Sequence, residues 1–189
     1  METLEAIYKR RSLREFTAEA VREQEIETLL KAAFSAPTAA NTQPWEFVVI
    51  TEAEILAQLK DQLIFARYNA PAAIVVCGNM KLAFKGPDRD LWISDCSAAV
   101  ENIMLAATDI GLASVWIGVY PLECKIKPVK RILEMPDYVV PLAILYVGHP
   151  AYTLEGRCRY NEKRIYWQKY DPERKHRAKD KPLAGHYDT

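Results

Sequence analysis

Residues 92 to 110, "WISDCSAAVENIMLAATDI", are apolar on nearly every side of a helix. A helix with apolar residues all round is buried, so other elements must pack around this one. Ala98, Ala99, Ala106 and Ala107 keep its surface small and allow close approach. Gly111 follows directly and suits a left-handed C-terminal cap. The chain is therefore expected to be layered about a central helix.

Two more helices precede it. Residues 2 to 10 place Leu4, Ile7 and Tyr8 at helical spacing. Residues 22 to 34 repeat Ile26, Leu29, Leu30, Ala33 and Phe34 with a period near 3.6, and Pro37 ends the stretch. Glu23, Glu25 and Glu27 come early and Lys31 late, as the helix dipole favours. Residues 52 to 64 return to helical period.

"WEFVVIT", "AAIVVCG" (72 to 78), "LASVWIGVY" and "VVPLAILYVG" (139 to 148) read as strands. Residues 79 to 91 lose periodicity, contain Gly-Pro and read as a mobile connection. Pro128 is expected in the first turn of a short helix ending near Leu133. "RIYWQKY" at 164 to 170 is expected to be a strand reaching away from the body. Without regular βαβ alternation, this order favours an α+β domain over a doubly wound one. One domain over residues 1 to 170 and a weakly ordered charged tail over 171 to 189 are expected.

The 25 basic and 25 acidic residues balance, which argues against a dedicated nucleic-acid binder. No apolar run is long enough to span a bilayer, and "METLEAIYKRRSLREF" is not a secretory signal. Cys77, Cys96, Cys124 and Cys158 form no CxxC pair or zinc spacing. Cys77 and Cys96 lie in apolar segments, and a reducing, cytoplasmic compartment is expected.

Three segments could hold a ligand, and each also has a plain structural reading. In "KRRSLREF", Arg10, Arg11 and Arg14 surround Ser12. Guanidinium groups bind phosphate through paired charge-assisted hydrogen bonds, but basic residues also suit a helix C-terminus. In "GRCR", Arg157 and Arg159 could converge on the same phosphate or lie on a surface loop. In "WIGV", Gly118 would let a ligand approach the backbone, and as a lone feature it is better read as a turn. "SAPTAANTQPWEFVVI" is either a loop entering a strand or a small-residue surface against a flat cofactor. No phosphate-binding glycine loop occurs, and His149, His176 and His186 offer no convincing triad.

Taken together, "RRSLREF", "SAPTAANTQPWEF", "GLASVWIG", "PLAILYVGHP" and "GRCRY", in this order and spacing, resemble the flavin-dependent nitroreductase family. The resemblance covers residues 3 to 170 and is to the short members. It implies an α+β sandwich with a mostly antiparallel sheet flanked by helices. It also implies an intertwined homodimer with two FMN molecules in its interface and the C-terminal segments exchanged.

By resemblance, Arg10, Arg11 and Ser12 contact the phosphate and ribityl chain, and Arg14 lies at the pyrimidine edge. Pro37, Thr38 and Asn41 belong to a loop over the partner's flavin. Ile117 and Gly118 provide backbone near flavin N5. Arg157, with Arg159, clamps the phosphate. NADH or NADPH would be the co-substrate, and nitroaromatics or quinones the acceptors, in ping-pong order. The fold also supports dehalogenation and flavin fragmentation, or flavin binding without turnover.

Overall fold

A computed structural model describes residues 1–63 and 67–174. Residue 64 of the expected third helix and residues 175–189 of the expected tail lie outside them. The chain divides into two compact units, Met1–Arg157 and a second beginning at Cys158.

The first unit contains α1 (Thr3–Lys9), α2 (Glu23–Phe34), β1 (Trp45–Ile50), α3 (Ala53–Gln62) and β2 (Ala72–Asn79). It continues with α4 (Leu91–Asp109), β3 (Ala113–Gly118), α5 (Glu123–Ile132) and β4 (Val139–Gly148). The strands form one sheet in the order β1-β2-β4-β3, with every pairing antiparallel. This is the expected α+β architecture.

Side chains alternate across the sheet, and the core divides accordingly. Ile74 and Val76 of β2 join Leu145 of β4 beneath α2 and α4. Ala73, Val75 and Cys77 join Ile144 and Tyr146 on the other face, beneath Leu59 of α3 and Val129 of α5. All eight residues of β2 are buried, which explains the apolar run from Ala72 to Gly78.

The central helix ends as expected. Gly111 has φ +82°, its N–H donates to the Thr108 carbonyl, and the Leu112 N–H donates to that of Ala107. This paired closure is the Schellman motif.

Two expectations are corrected. Helix α5 begins at Glu123, so Pro128 is an interior residue and not part of the first turn. The first turn is closed by the Lys125 and Ile126 amides donating to Leu122, and Ile126 and Val129 carry one buried stripe across the proline. Burial along that stripe outweighs the one hydrogen bond that proline cannot make.

Residues 164–170 do not form a strand. A 3₁₀ turn, Glu162–Arg164, is followed by bends, and Gln168 has φ +65°. Arg174 donates to the carbonyls of Ile165 and Glu162, and Tyr166 packs on Tyr170 at 4.4 Å. These carbonyls are satisfied by a side chain instead of a strand neighbour.

Candidate functional site

β3 is an edge strand, and the segment leaving α1 is stitched to it. Arg10 caps α1 with ψ 125°, turning the chain out of the helix. Ser12 then forms a parallel bridge with Ser114, and the Leu13 amide donates to the Ser114 carbonyl at 3.2 Å. Beyond it, Phe16 is buried and pairs with Pro150, and the Thr17 amide reaches the His149 carbonyl. Arg10, Arg11, Ser12 and Arg14 are thus fixed along one side of the sheet.

The same edge leads to Gly118. Backbone groups point to alternate sides along a strand. The Ser114 carbonyl faces outward to Leu13, so Trp116 and Gly118 direct their backbone groups to the same edge. Gly118 is exposed, and a Cβ there would meet no atom within 4 Å. Its carbonyl accepts from Lys125 Nζ at 3.0 Å. Ile117 is half-buried and pairs with Ile144 of β4.

Residues 155 and 156 return to the end of α1. Arg11 Nη1 donates to the Glu155 carbonyl at 2.6 Å. Gly156 lies against the backbone of Tyr8 and Lys9, where α1 ends. Arg157, the last residue of the first unit, therefore follows directly from a residue packed beside Arg10 and Arg11. Arg159 belongs to the second unit and is exposed. Arg10 is oriented by Glu101 of α4, with Nε 3.3 Å from the carboxylate. Arg14 is exposed, and its Nη1 reaches the Ser12 carbonyl at 3.5 Å.

Pro37, Thr38 and Asn41 lie in a separate loop after α2. No hydrogen bond or ion pair joins this loop to residues 10–14 among the described residues. It is tightly wound: Ala40, Asn41 and Gln43 all have positive φ, at 46°, 58° and 46°. Left-handed non-glycine residues typically cost about 1–3 kcal/mol each and persist only when their surroundings hold them. Here Thr38 Oγ1 accepts from the Gln43 amide, Gln43 Nε2 donates to Asn41 Oδ1, and the Ala39 amide donates to Asp95 Oδ1 at 2.9 Å.

Sequence reasoning missed Asp95 and Glu101, both read as part of an apolar helix. For Asp95 the available signal was the acid itself, because a buried carboxylate needs a partner; Glu101 is exposed and carries no such signal.

Burial pushes the Cys77 thiol up to about 12 and raises that of Cys96 as well, so neither is poised as a nucleophile. Among the described residues, no group of three or more His, Cys, Asp or Glu could hold a metal. No helix is long and apolar enough to cross a membrane, again among the described residues.

An α+β sheet with a basic cluster beside an open strand edge defines a candidate anionic-cofactor site. The nitroreductase family profile matches residues 7–66 and 62–149. A protein of Archaeoglobus fulgidus, carrying the provisional name NADH dehydrogenase/NAD(P)H nitroreductase, is 41% identical over 174 residues, covering 89% of this chain and 99% of its own.

A crystal structure from Parabacteroides distasonis, with the same provisional name, superposes with a TM-score of 0.83 at 35% identity, covering 89% of this chain and 98% of that one. An FMN-dependent nitroreductase from Clostridium difficile gives a TM-score of 0.79 at 26% identity, covering 88% and 99%. The chain belongs to the nitroreductase family of oxidoreductases.

Proposed function

We propose that the chain is an FMN-dependent oxidoreductase that takes electrons from NADH or NADPH. Nitroaromatics, quinones or similar acceptors then receive them in ping-pong order. The observation that carries this reading is the meeting of Arg10, Arg11 and the 155–156 backbone beside the outer edge of β3. The residues fit the cofactor: guanidinium groups suit its phosphate, and the open space at Gly118 leaves room against the backbone.

FMN, when bound, supplies the electron-transfer chemistry, while the protein binds and orients it. Arg10, Arg11 and Ser12 would hold the phosphate and ribityl chain, with Arg157 and Arg159 closing from the C-terminal side. Arg14 would place positive charge at the pyrimidine edge, where preorganised charge stabilises negative charge on the ring. Ile117 and Gly118 would line the N5 side. Donor and acceptor would use the same surface in turn, which is the basis for ping-pong order.

Pro37, Thr38 and Asn41 would cover the flavin of a partner subunit in an intertwined homodimer with exchanged C-terminal segments. Exposed apolar residues support that assembly. Leu4, Ile7 and Tyr8 of α1 and Phe34 of α2 are all exposed, and Ala6 is the buried residue of α1. Apolar surface of this kind marks an interaction site.

The test is an absorbance spectrum of purified protein after FMN reconstitution, followed by anaerobic addition of NADH or NADPH. The expected result is a bound-flavin spectrum that bleaches with either nucleotide and recovers on adding a nitroaromatic or quinone. Protein that takes up no FMN would overturn the reading. Sedimentation should give twice the chain mass.

A further inference from the structure

The geometry points to Asp95 as the positioning residue for the flavin-covering loop: from within α4 it holds the Ala39 amide, and with it Pro37 and Thr38. This inference rests on the FMN reading above. Asp95 is 5% exposed, and its Oδ1 accepts from the Ala39 amide at 2.9 Å. Its Oδ2 is buried without a hydrogen-bond partner. A buried carboxylate with one oxygen unpaired costs stability, so general stabilisation is a poor account of it.

The loop supplies the better account. Three left-handed residues follow Ala39 within four positions. The contacts Gln43–Asn41 and Gln43–Thr38 tie the loop to itself, and the Asp95 bond ties it to the core. Without that bond the wound loop would keep its internal contacts but lose its place. A loop that must lie flat on a ring depends on that place, because small displacements of a binding surface forfeit contacts.

The bond can be removed from either end. D95A removes the acceptor and D95N retains a carbonyl oxygen for the same amide. A39P removes the donor and sets its ring Cδ where the amide hydrogen lay, against Asp95 Oδ1, so the carboxylate must give way. The backbone itself accepts proline there, because Ala39 is the first residue of a 3₁₀ turn and Thr38 is already extended at φ −133°, ψ 154°.

Amide exchange over residues 37–43 is measured in flavin-free protein, and FMN affinity is measured by titration. D95A and A39P should each speed loop exchange at least tenfold and weaken FMN about tenfold, the loss of one charge-assisted hydrogen bond. D95N should stay within about threefold of the parent. The double variant D95A/A39P should be no worse than the poorer single variant, since both remove one interaction.

Folded D95A with parental exchange and affinity would overturn the proposal, as would additive effects in the double variant. If D95A does not fold, A39P decides alone: parental loop exchange in it rejects the tether. If the parent binds no FMN the functional reading fails, while the exchange arm still decides whether Asp95 holds the loop.

Discussion

Gly156 is seated against the Tyr8 carbonyl so closely that a Cβ on residue 156 would stand 2.4 Å from that oxygen. The obstacle is backbone, which cannot swing aside as a long side chain can. This contact brings the segment carrying Arg157 beside Arg10 and Arg11. Gly156→Ala should therefore displace residues 155–157 from the end of α1. The residues displaced are exposed, so thermal stability should change by no more than a few degrees. FMN affinity, read by fluorescence titration, should fall by about an order of magnitude.

Arg10→Ala separates phosphate recognition from ring recognition. A charge-assisted hydrogen bond contributes about 1.5–3 kcal/mol, or roughly one to two decades of affinity. FMN binding should weaken by that amount. Riboflavin, which lacks the phosphate, should bind the variant and the parent alike. An equal loss for both ligands would place Arg10 elsewhere than at the phosphate.

The fold was legible where apolar residues faced both ways. α4, β2 and β4 announce themselves as continuous apolar runs because both of their sides are covered. The start of α5 was hidden because a local rule, proline in the first turn, competed with the Ile126–Val129 stripe and lost. The 164–170 segment looked extended because Ile165 and Trp167 alternate with polar residues. The Arg174 hydrogen bonds to its carbonyls follow no sequence period.

The candidate site was legible in its chemistry and not in its assembly. The arginines could be named from residue type. That Gly156 packs on the end of α1 is a tertiary contact, and that Asp95 holds the Ala39 amide depends on which face of α4 it occupies.

The acid limb of stability should report Glu25. Arg22 holds this carboxyl below its ordinary value of 4.5, chiefly through a side-chain hydrogen bond, against the opposing effect of burial. Its folded value is depressed, so its contribution is present above the unfolded value and lost as pH falls through the folded value. Glu25→Gln should thus be less stable than the parent at pH 7, by about 1 kcal/mol for a weakened capping interaction. Urea unfolding at pH 7 and again well below pH 4.5 checks this. The gap should narrow in acid.

Thiol labelling tests the two core layers. Cys124 and Cys158 are exposed, while Cys77 and Cys96 are fully buried on opposite faces of the sheet. Burial raises both buried thiols, so little thiolate is present at pH 8. A thiol reagent should modify Cys124 and Cys158 in native protein. Cys77 and Cys96 should react only after unfolding, and both at the rate of global opening. Faster reaction of Cys96 alone would mean that α4 separates from the sheet before the rest of the core yields.

Gly118→Ala distinguishes a glycine kept for folding from one kept for a ligand. Within the chain a Cβ at this position meets nothing, and the backbone there is not left-handed. Neither strain nor collision penalises alanine in the folded protein. The melting temperature of flavin-free protein should therefore remain within about 1–2 °C of the parent, because a surface change of this kind is worth less than about 0.5 kcal/mol. The loaded protein should respond differently. If a flat ring lies against this edge, the added methyl group occupies the space that the ring requires. FMN affinity and turnover should then fall together, with Gly118→Val worse than Gly118→Ala. Parental FMN affinity in both variants would remove Gly118 from the cofactor surface, leaving the open edge of β3 without its assigned ligand.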